Sequence, residues 1–563
     1  MNILGISCYY HDAASTLVRD GEVIAAVEEE RFTRKKHDNC FPEQAISYCL
    51  KKGDIKATQL DQVCFYEKPL LKLERLLVCG KKWSSKSQEL VKQQLSHVLH
   101  ERLFIEEVLK DKLGYEGKVS YVDHHLAHAA SAYFISNFDR AAIMTVDGVG
   151  EWATTTQFMG DGNKIRKLQE IRYPHSLGLL YSTMTAFLGF KVNNDEYKVM
   201  GLASYGKPTQ VDKVNKLISF YQDGSFRLNL DYFSYMYEKN RMFSDSFIEL
   251  FGHPRSSDGE ITKYHKDLAA SLQLITEDAL VRLGLNLYEQ CGGTENACLA
   301  GGVSLNCVAN RRFINETPFK HVCIQPAAGD SGCAMGAALY AYYSQQTQPR
   351  IISEHTTLLG PEYTDQEIED LLISRKAIFT KYDEETLSKK TADLIYKNQI
   401  VGWFQGRMEF GPRALGNRSI LANACNPSMM DILNKRVKFR EDFRPFAPAV
   451  LIEKAHEYFD IEFESPYMLF ISQVKNGMEQ KIPSVTHVDK TARVQTVSKS
   501  QNPRFYKLID EFNTISGVPV VINTSFNIRG EPIVCTPDEA YNCFLKTDID
   551  FLVMGKFLIE KEV

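Results

Sequence analysis

The chain has 563 residues, of which 44% are hydrophobic and 24% are charged, and its formal net charge is -5. These proportions exclude collagen-like, coiled-coil and largely disordered chains, and the acidic balance argues against nucleic acid and anionic membranes as partners. No apolar run approaches the length of about 18 residues that a transmembrane helix needs. The thirteen cysteines form no CxxC pair and the first residues resemble no signal peptide, so we predict a cytoplasmic protein with reduced thiols.

The first predicted elements form a strand–loop–strand pattern that occurs twice. Residues 2–30 predict three strands with a hairpin turn at Asp20-Gly21, and residues 141–172 repeat the same order. A duplicated unit of this kind is typical of two-lobed nucleotide-binding folds of the actin/sugar-kinase type. Two unrelated hairpins are the alternative interpretation.

Further along the chain, helices and strands alternate. Helices are predicted near residues 43–52, 86–110 and 260–290, and the segments after residue 297 alternate strand, glycine turn and helix, which favours an α/β fold. The polar segment 343–363 contains two prolines and is predicted to be a linker. We therefore predict an N-terminal domain over residues 1–350 and a C-terminal α/β domain over residues 351–563.

Two histidines and two acidic residues are candidate metal ligands. The sequence VDHHLAHAA at 122–130 places His124 and His128 four residues apart, on one face of a helix. Asp147 ends a predicted strand and Asp330 precedes a predicted helix. Such a set suits Fe(II), Mn(II) or Zn(II), whereas His125 points about 100° away and is left out. A purely structural histidine pair is the alternative.

Glycine loops and a basic stretch point to phosphate. The loops DGVG (147–150), LAGGVSLN (299–306) and GDSG (329–332) could cradle a nucleotide with backbone N–H groups, although glycine turns are common. Residues 407–444 hold eight basic and four acidic side chains among prolines and phenylalanines. Guanidinium forks suit a phosphorylated small ligand, and a solvated surface or a nucleic-acid site is the alternative.

These motifs together resemble the O-carbamoyltransferases that modify antibiotics and nodulation factors, such as tobramycin carbamoyltransferase. The matching strings in the first half are YYHDAAS, AAVEEERFTRKKHD, DHHLAHAASAY, VDGVGEW, NDEYKVMGLASYG, LAGGVSLN and GDSGCAMGAA. Those in the second half are EFGPRALGNRSI, FREDFRPFAP, VTHVDKTARVQTV and NTSFNIRGEPIV. They span nearly the whole chain in a fixed order.

The resemblance implies a two-step, ATP-dependent reaction. A C-terminal domain similar to YrdC-type proteins would make carbamoyl adenylate from carbamoyl phosphate and ATP. The actin/sugar-kinase-like N-terminal domain would then transfer the carbamoyl group to a hydroxyl of a small-molecule acceptor, a secondary metabolite or sugar. The implied cofactors are ATP and a divalent metal, Fe(II) by resemblance, with Mg2+ as an option beside ATP. No nucleic acid or membrane partner is expected, and a homo-oligomer is left open.

The resemblance also implies roles for individual residues. The metal ligands are His124, His128, Asp147 and Asp330, and the catalytic residues are His11, as the base near the acceptor, Arg418 and Arg444. Adenylate contacts are Lys36, Asp147, Gly148, Gly301, Gly302 and Ser331. The contacts for carbamoyl phosphate and ATP are Arg418, Lys438, Arg444, Arg493, Asn523 and Ser525, and the acceptor candidates are Asp12, Glu196 and Lys198.

Three other functions fit part of the sequence. A hydrogenase-maturation carbamoyltransferase shares both domain types but should carry CxxC pairs, which this chain lacks. A tRNA-modifying fusion would need a basic recognition face, which the net charge disfavours. A non-catalytic actin-like regulator would explain the glycine loops but neither the histidine pair nor the basic residues Arg418, Lys438 and Arg444.

Overall fold

A computed structural model describes residues 1–83, 87–97, 102–350, 356–441 and 443–561, the side chains of residues 93, 94, 96 and 97 excepted. The chain divides into two compact units. The first comprises Met1–Glu29 and His37–His355, and the second comprises Glu30–Lys36 and Thr356–Val563. The predicted border between residues 350 and 351 adjoins residues 351–355, which lie outside the described part. The functions assigned to the two domains stay predictions.

The first unit alternates strands and helices. Its strands are β1 (Asn2–Ser7), β2 (Ala14–Arg19), β3 (Glu22–Glu28), β4 (Gln62–Phe65), β5 (Val119–Tyr121), β6 (Arg140–Val146), β7 (Ala153–Asp161), β8 (Lys164–Arg172), β9 (Ile218–Phe220), β10 (Phe226–Leu228), β11 (Asn296–Ala300) and β12 (His321–Ile324). Helix α1 (Glu30–Thr33) belongs to the second unit. The helices of the first unit are α2 (Glu43–Lys52), α3 (Pro69–Lys82), α4 (Gln88–His97), α5 (Ile105–Leu113), α6 (His124–Tyr133), α7 (Leu177–Phe187), α8 (Glu196–Ala203), α9 (Val211–Val214), α10 (Asp245–Phe251), α11 (Lys263–Gln290), α12 (Cys307–Glu316) and α13 (Asp330–Tyr343).

Two five-stranded sheets of this unit share one topology. The strand order is β3-β2-β1-β4-β5 in the first sheet and β8-β7-β6-β11-β12 in the second. In each sheet the first three strands are antiparallel and the last two run parallel to the central strand. This repeat confirms the predicted duplicated, actin/sugar-kinase-like α/β fold.

The first hairpin forms where the sequence predicts it. Asp20 and Gly21 have φ angles of 50° and 87°, the left-handed pair that a two-residue hairpin turn requires. The turn fixes the register of β2 and β3, whose alternate residues then pack on both sides of a buried sheet.

The second unit is built on one eight-stranded mixed sheet. Its strands are β13 (Ile378–Lys381), β14 (Val401–Phe404), β15 (Arg418–Asn423), β16 (Ala447–Leu451), β17 (Ile471–Gln473), β18 (Thr491–Arg493), β19 (Gln495–Val497), β20 (Val520–Ser525), β21 (Phe551–Met554) and β22 (Phe557–Glu560). The sheet order is β13-β22-β21-β14-β15-β20-β16-β19, and β17 and β18 form a separate pair. The helices are α14 (Asp365–Ser374), α15 (Glu384–Tyr396), α16 (Met429–Leu433), α17 (Ala455–Tyr458), α18 (Pro503–Ser516) and α19 (Pro537–Lys546).

Both faces of this sheet are covered by helices. Because strand residues alternate in direction, Leu421 packs in a core with residues of α15 and α18, whereas its neighbours Ile420 and Ala422 pack with residues of α14 and α19. The central strands β14, β15 and β16 are accordingly buried along their whole length, as expected for a sheet covered on both sides.

A short excursion of the N-terminal chain belongs to this second unit. The Arg31 guanidinium donates to the Gly411 carbonyl at 2.8 Å, and that of Arg34 donates to the carbonyls of Pro532 and Ile533 at 2.7 Å each. These bonds are the physical reason why residues 30–36, which the sequence placed in the N-terminal domain, group with the C-terminal residues.

Among the described residues, no helix has both the length and the apolar character needed to span a bilayer. All thirteen cysteines lie in the described part, and none of them forms a disulfide there.

Candidate functional site

The loops that carry the predicted carboxylate ligands leave one edge of the second sheet. Asp147 directly follows β6, Gly301 directly follows β11, and Asp330 begins α13 after β12. These three strands are parallel, so their carboxyl ends lie at the same edge. That edge is where open α/β sheets bind their ligands.

Helix α6 brings the two predicted histidines to the same place. The Asp123 carboxylate accepts the Leu126 backbone N–H at 3.2 Å and Glu151 accepts that of His124 at 3.1 Å, which satisfies two N–H groups of the first turn. Gly336 on α13 allows α6 to approach closely, because a Cβ there would lie 1.8 Å from the Ala127 carbonyl oxygen. The close packing of α6 on α13 sets His124 and His128 beside Asp330.

The four side chains form one buried cluster. His124 Nε2 lies 3.4 Å from Asp147 Oδ2 and 3.7 Å from Asp330 Oδ1, and His128 Nε2 lies 3.7 Å from the same Asp330 oxygen. All four residues are buried, and their candidate ligand atoms lie within 4.8 Å of one another. Two ligands about 2.1 Å from one ion in tetrahedral geometry are separated by about 3.4 Å, so the spacing suits a single metal ion.

Buried polar atoms without hydrogen-bond partners also support a metal ion at this cluster. Both ring nitrogens of His128, Nδ1 of His124 and Oδ2 of Asp330 are buried and have no hydrogen-bond partner within the described part of the chain. Buried polar atoms are nearly always satisfied, and His128 Nε2, which faces Asp330, is the unpartnered atom that a ligand in the cluster would satisfy. Neutral imidazoles and carboxylates are donors that a first-row divalent ion accepts.

Charge within the cluster is strongly coupled. Burial disfavours the charged form of His124, but the Asp330 and Asp147 carboxylates outweigh it and raise the pKa of His124 to about 9. Burial also opposes ionisation of Asp147, yet the histidines hold its pKa well below the usual range. A bound cation would take the place of the proton on His124, since ligands must be deprotonated.

His125 lies outside the cluster, as predicted. Its Nδ1 lies 2.7 Å from Thr145 Oγ1, and burial and the neighbouring histidines hold its pKa well below the ordinary value. It is a buried neutral imidazole on the same helix and gives a matched control for His128.

The predicted adenylate contacts in the first unit border the cluster. The Gly302 N–H donates to Asp147 Oδ1 at 3.0 Å, which turns the other carboxylate oxygen toward His124. Gly148 follows Asp147, where the Ser176 hydroxyl donates to its carbonyl at 2.7 Å, and Ser331 follows Asp330 in the first turn of α13. Gly301 precedes Gly302 at the end of β11. Lys36 belongs to the second unit, and its adenylate contact stays a prediction.

The predicted base and acceptor residues lie on the loop after β1 and on helix α8, and each contacts a neighbouring residue. His11 Nδ1 lies 2.7 Å from Asp12 Oδ2. Glu196 accepts from the Ser182 hydroxyl and the Asn193 N–H at 2.8 Å each. Lys198 pairs with Asp195 at 3.1 Å. Their roles stay predictions, and each side chain is already engaged within the protein.

The sequence did not single out His37, whose Nδ1 lies 2.7 Å from the other oxygen of Asp12. The string RKKHD, in which Lys36 is a predicted adenylate contact, contains His37 and is the signal that could identify it.

In the second unit, the buried Lys438 side chain lies beside Ser525. The Lys438 ammonium donates to the Ser525 carbonyl and, at 3.1 Å, to both the carbonyl and the side-chain oxygen of Asn527. Burial, with the nearby charge of Arg440, holds the pKa of Lys438 well below its ordinary value. Lys438 ends a short π-helix over residues 434–438, an irregularity common at functional sites.

The other predicted contacts of this unit are distributed around the sheet. Asn523 lies on β20 and donates to Gln495 Oε1 at 2.7 Å, while its own side-chain oxygen is buried without a partner among the described residues. Arg493 lies on β18, two residues before Gln495. Arg444 is half-buried, with Glu441 at 3.6 Å.

The phosphate contact of Arg418 stays a prediction, and in this structure its side chain is bonded to the protein itself. It is fully buried and donates to the backbone carbonyls of Gln405, Asn417, Pro361 and Gly406 at 2.7–3.1 Å. Its guanidinium also stacks on Phe404, 3.7 Å from the ring centre. Arg418 therefore holds the surrounding loops together in this structure, and contact with a phosphate would require these bonds to break.

Comparison with known proteins identifies the family. The family "Carbamoyltransferase N-terminus" matches residues 2–339 and "Carbamoyltransferase C-terminus" matches residues 392–561. An uncharacterized protein of Synechocystis is 46% identical over all of this chain and 97% of its own length. Nodulation protein NolNO of Sinorhizobium fredii is 38% identical over 98% of this chain and 79% of its own.

A solved structure, (R)-2-hydroxyglutaryl-CoA dehydratase component A of Acidaminococcus fermentans, aligns with 61% of this chain and 98% of its own at 15% identity and a TM-score of 0.34. The fold assignment rests on the repeated strand order described above. On the two family matches, which together cover most of its length, the chain belongs to the carbamoyltransferase family and is a carbamoyltransferase.

Proposed function

We propose that this carbamoyltransferase is ATP-dependent and divides its reaction between the two units. The second unit, YrdC-like by sequence resemblance, makes carbamoyl adenylate from carbamoyl phosphate and ATP. The first unit passes the carbamoyl group to a hydroxyl of a small molecule. The observation that carries the proposal is the buried cluster of His124, His128, Asp147 and Asp330, with its orphaned ring nitrogens.

The first step needs positive charge around phosphate. Atoms balance if water cleaves carbamoyl phosphate to carbamate and phosphate, and a carbamate oxygen then displaces pyrophosphate from the α-phosphate of ATP. Lys438 and Arg444 would neutralise charge that develops on the phosphates, and Arg493, Asn523 and Ser525 would orient the reactants. Arg418 would support this site through the loops that its guanidinium ties together.

The second step takes place at the edge of the duplicated sheets. Asp147, Asp330, His124 and His128 would hold a divalent ion, for which Fe(II) is the ion implied by resemblance. When bound, that ion supplies Lewis-acid polarisation of an oxygen of the carbamoyl adenylate. The backbone N–H groups of Gly148 and Gly301 and the Ser331 hydroxyl would orient the adenylate. The acceptor oxygen forms a bond to the carbamoyl carbon as the bond to AMP breaks.

Resemblance to enzymes that modify antibiotics and nodulation factors supports a small-molecule acceptor. The net charge of -5 disfavours tRNA, because phosphate contacts dominate nucleic-acid affinity. We propose that the acceptor is bordered by Asp12, in the loop after β1, and by Glu196 and Lys198, on α8.

The test follows both half-reactions in the full-length protein loaded with Fe(II). Pyrophosphate and AMP are measured with ATP and Mg2+, with and without carbamoyl phosphate. An aminoglycoside, a hexosamine, a polyol and bulk tRNA are then screened by mass for a gained carbamoyl group. We expect pyrophosphate release that requires carbamoyl phosphate and a carbamoylated small molecule. ATP cleavage that ignores carbamoyl phosphate, or labelling of tRNA alone, would contradict the proposal.

A further inference from the structure

Two histidines share one carboxylate at the carboxyl end of β1. Asp12 Oδ2 lies 2.7 Å from His11 Nδ1, and Asp12 Oδ1 lies 2.7 Å from His37 Nδ1. The far ring nitrogens are also engaged. His11 Nε2 lies 2.9 Å from the Asn193 carbonyl oxygen, and His37 Nε2 lies 3.0 Å from Asn194 Oδ1. Three separate loops are thereby joined through Asp12.

The hydrogen-bond partners of His11 determine the protonation state of its imidazole ring. A backbone carbonyl only accepts hydrogen bonds, and so does an ionised carboxylate. His11 has one of each at its two ring nitrogens, so both nitrogens must donate and the ring must carry two protons. The Asn194 amide is oriented by its Nδ2, which donates to Asp195 at 2.7 Å, so its oxygen faces His37. Both nitrogens of His37 therefore face acceptors as well.

The charges around His11 also favour its doubly protonated form. Burial disfavours the charged ring of His11, but the hydrogen bond and charge of Asp12, with Asp330 farther off, outweigh it and raise the pKa of His11 to about 10. The two histidines in turn hold the pKa of Asp12 well below its usual range. The charged or titratable groups on the neighbouring loops and helices include Asp12, His37, Asp38, Arg102, Asp195, Glu196, Lys198 and Asp330.

We propose that Asp12 and His37 are positioning residues that hold His11 as a doubly protonated imidazolium, which serves carbamoyl transfer as a fixed positive charge and not as the base. This inference rests on the proposed function, because it assigns a role within the transfer step. It replaces the expectation that His11 takes the proton of the acceptor, since neither ring nitrogen has a lone pair to receive it.

The transfer step balances without a histidine base. The acceptor oxygen forms a bond to the carbamoyl carbon, and the bond from that carbon to the phosphate oxygen breaks, with its electron pair leaving on AMP. The hydroxyl proton leaves on a phosphate oxygen of the departing AMP. Negative charge grows on the carbamoyl oxygen and on the phosphate, and a fixed cation nearby stabilises both.

The protonation state can be measured without any substrate. In full-length protein with labelled histidine rings, the His11 signals are assigned by their loss in His11→Gln and followed from pH 6 to pH 10. We expect them to stay doubly protonated through pH 9 in the wild type and to titrate near the ordinary value of about 6.5 in Asp12→Asn. Titration of His11 near 6.5 in the wild type would overturn the inference, whatever the fate of the proposed function.

Activity separates a fixed charge from a base. His11→Arg keeps a cation and cannot act as a base, whereas His11→Gln keeps neither. We expect carbamoyl transfer in His11→Arg to exceed that in His11→Gln at least 10-fold, with pyrophosphate release unchanged in both. Equal loss of transfer in the two variants would contradict a charge role.

The positioning role of His37 requires a measurement that would not change if His37 only stabilised the fold. Its φ of 57° is left-handed, a conformation that asparagine tolerates, and the amide of His37→Asn can still donate to Asp12. We expect His37→Asn to retain most of the transfer kcat that His37→Ala loses, with the acceptor KM similar in both. Metal content should be unchanged in every variant. Loss of one metal equivalent on changing His37 would show instead that these residues bind an ion, and would overturn the inference.

Discussion

The two units use their charged side chains in opposite ways. In the first unit, His124 Nε2 and His128 Nε2 converge on two carboxylates, and His128 Nε2 lacks a hydrogen-bond partner among the described residues. In the second unit, basic residues of the stretch 407–444 form hydrogen bonds and ion pairs within the protein. Arg418 donates to four backbone carbonyls, and Arg436 pairs with Asp550 at 2.8 Å. An unsatisfied buried nitrogen that faces a carboxylate therefore indicates a ligand more directly than a count of charges does.

The largest effect that would test this contrast is loss of metal. His128→Ala removes one of four donors from a buried site, so we expect Fe(II) affinity to fall by more than about 100-fold, beyond the usual effect of changing a residue behind the ligands. His125→Asn is the matched control, because His125 is equally buried on the same helix and contacts Thr145. Metal analysis after anaerobic loading measures both. Equal metal content in the two variants would contradict metal binding by the cluster.

Within the basic stretch, Arg444 and Arg436 should behave differently. Arg444→Ala should slow pyrophosphate release about 100- to 1000-fold, the usual cost of removing one donor that stabilises developing charge. Arg436→Ala should leave it near the wild-type rate, because that guanidinium pairs with Asp550. Initial rates at saturating ATP and carbamoyl phosphate measure the difference. Wild-type rates in Arg444→Ala would refute its assignment.

Arg418→Met sharpens the distinction between binding and support. The change leaves buried carbonyls unpaired at about 1–3 kcal/mol each, so we expect the free energy of unfolding of the second unit to fall by at least about 3 kcal/mol. Urea unfolding followed by Trp403 fluorescence measures it. A variant that is as stable as the wild type but has a raised KM for carbamoyl phosphate would return Arg418 to the phosphate site.

The smallest expected effect is a pH dependence of stability. The pKa of His11 is raised from 6.5 to about 10 on folding, because the Asp12 carboxylate outweighs burial. Protonated His11 therefore stabilises the folded state fully below pH 6.5, and this contribution to the free energy of unfolding is lost as the pH rises to about 10. We expect the Tm difference between wild type and His11→Gln to shrink by a few degrees over that range. A difference that is constant with pH would contradict the charged form of His11.

Local patterns predicted much of the fold and the cluster. The Asp20-Gly21 turn and the strand alternation at residues 2–30 and 141–172 gave the hairpins, because these signals are short-range. His124 and His128 were found from helical spacing, and Asp147 and Asp330 from their places at element ends. Strand order then brought them together.

What escaped prediction depends on contacts between distant residues. His37 reaches Asp12 across 25 residues from a left-handed backbone position, which no spacing rule records. The bonds of Arg418 depend on where the carbonyls of Gln405 and Pro361 point, and the excursion of residues 30–36 depends on carbonyls some 500 residues away. Composition identified these side chains as charged but could not identify their partners.

The division of labour between the two units is tested most directly by following both half-reactions in His128→Ala. Pyrophosphate release with ATP and carbamoyl phosphate is measured beside the mass of the best acceptor found for the wild type. The account predicts pyrophosphate release within about two-fold of wild type and no carbamoylated acceptor, with His125→Asn competent in both. Loss of both activities together in a folded His128→Ala protein would mean that the cluster also serves adenylation, and would contradict the account.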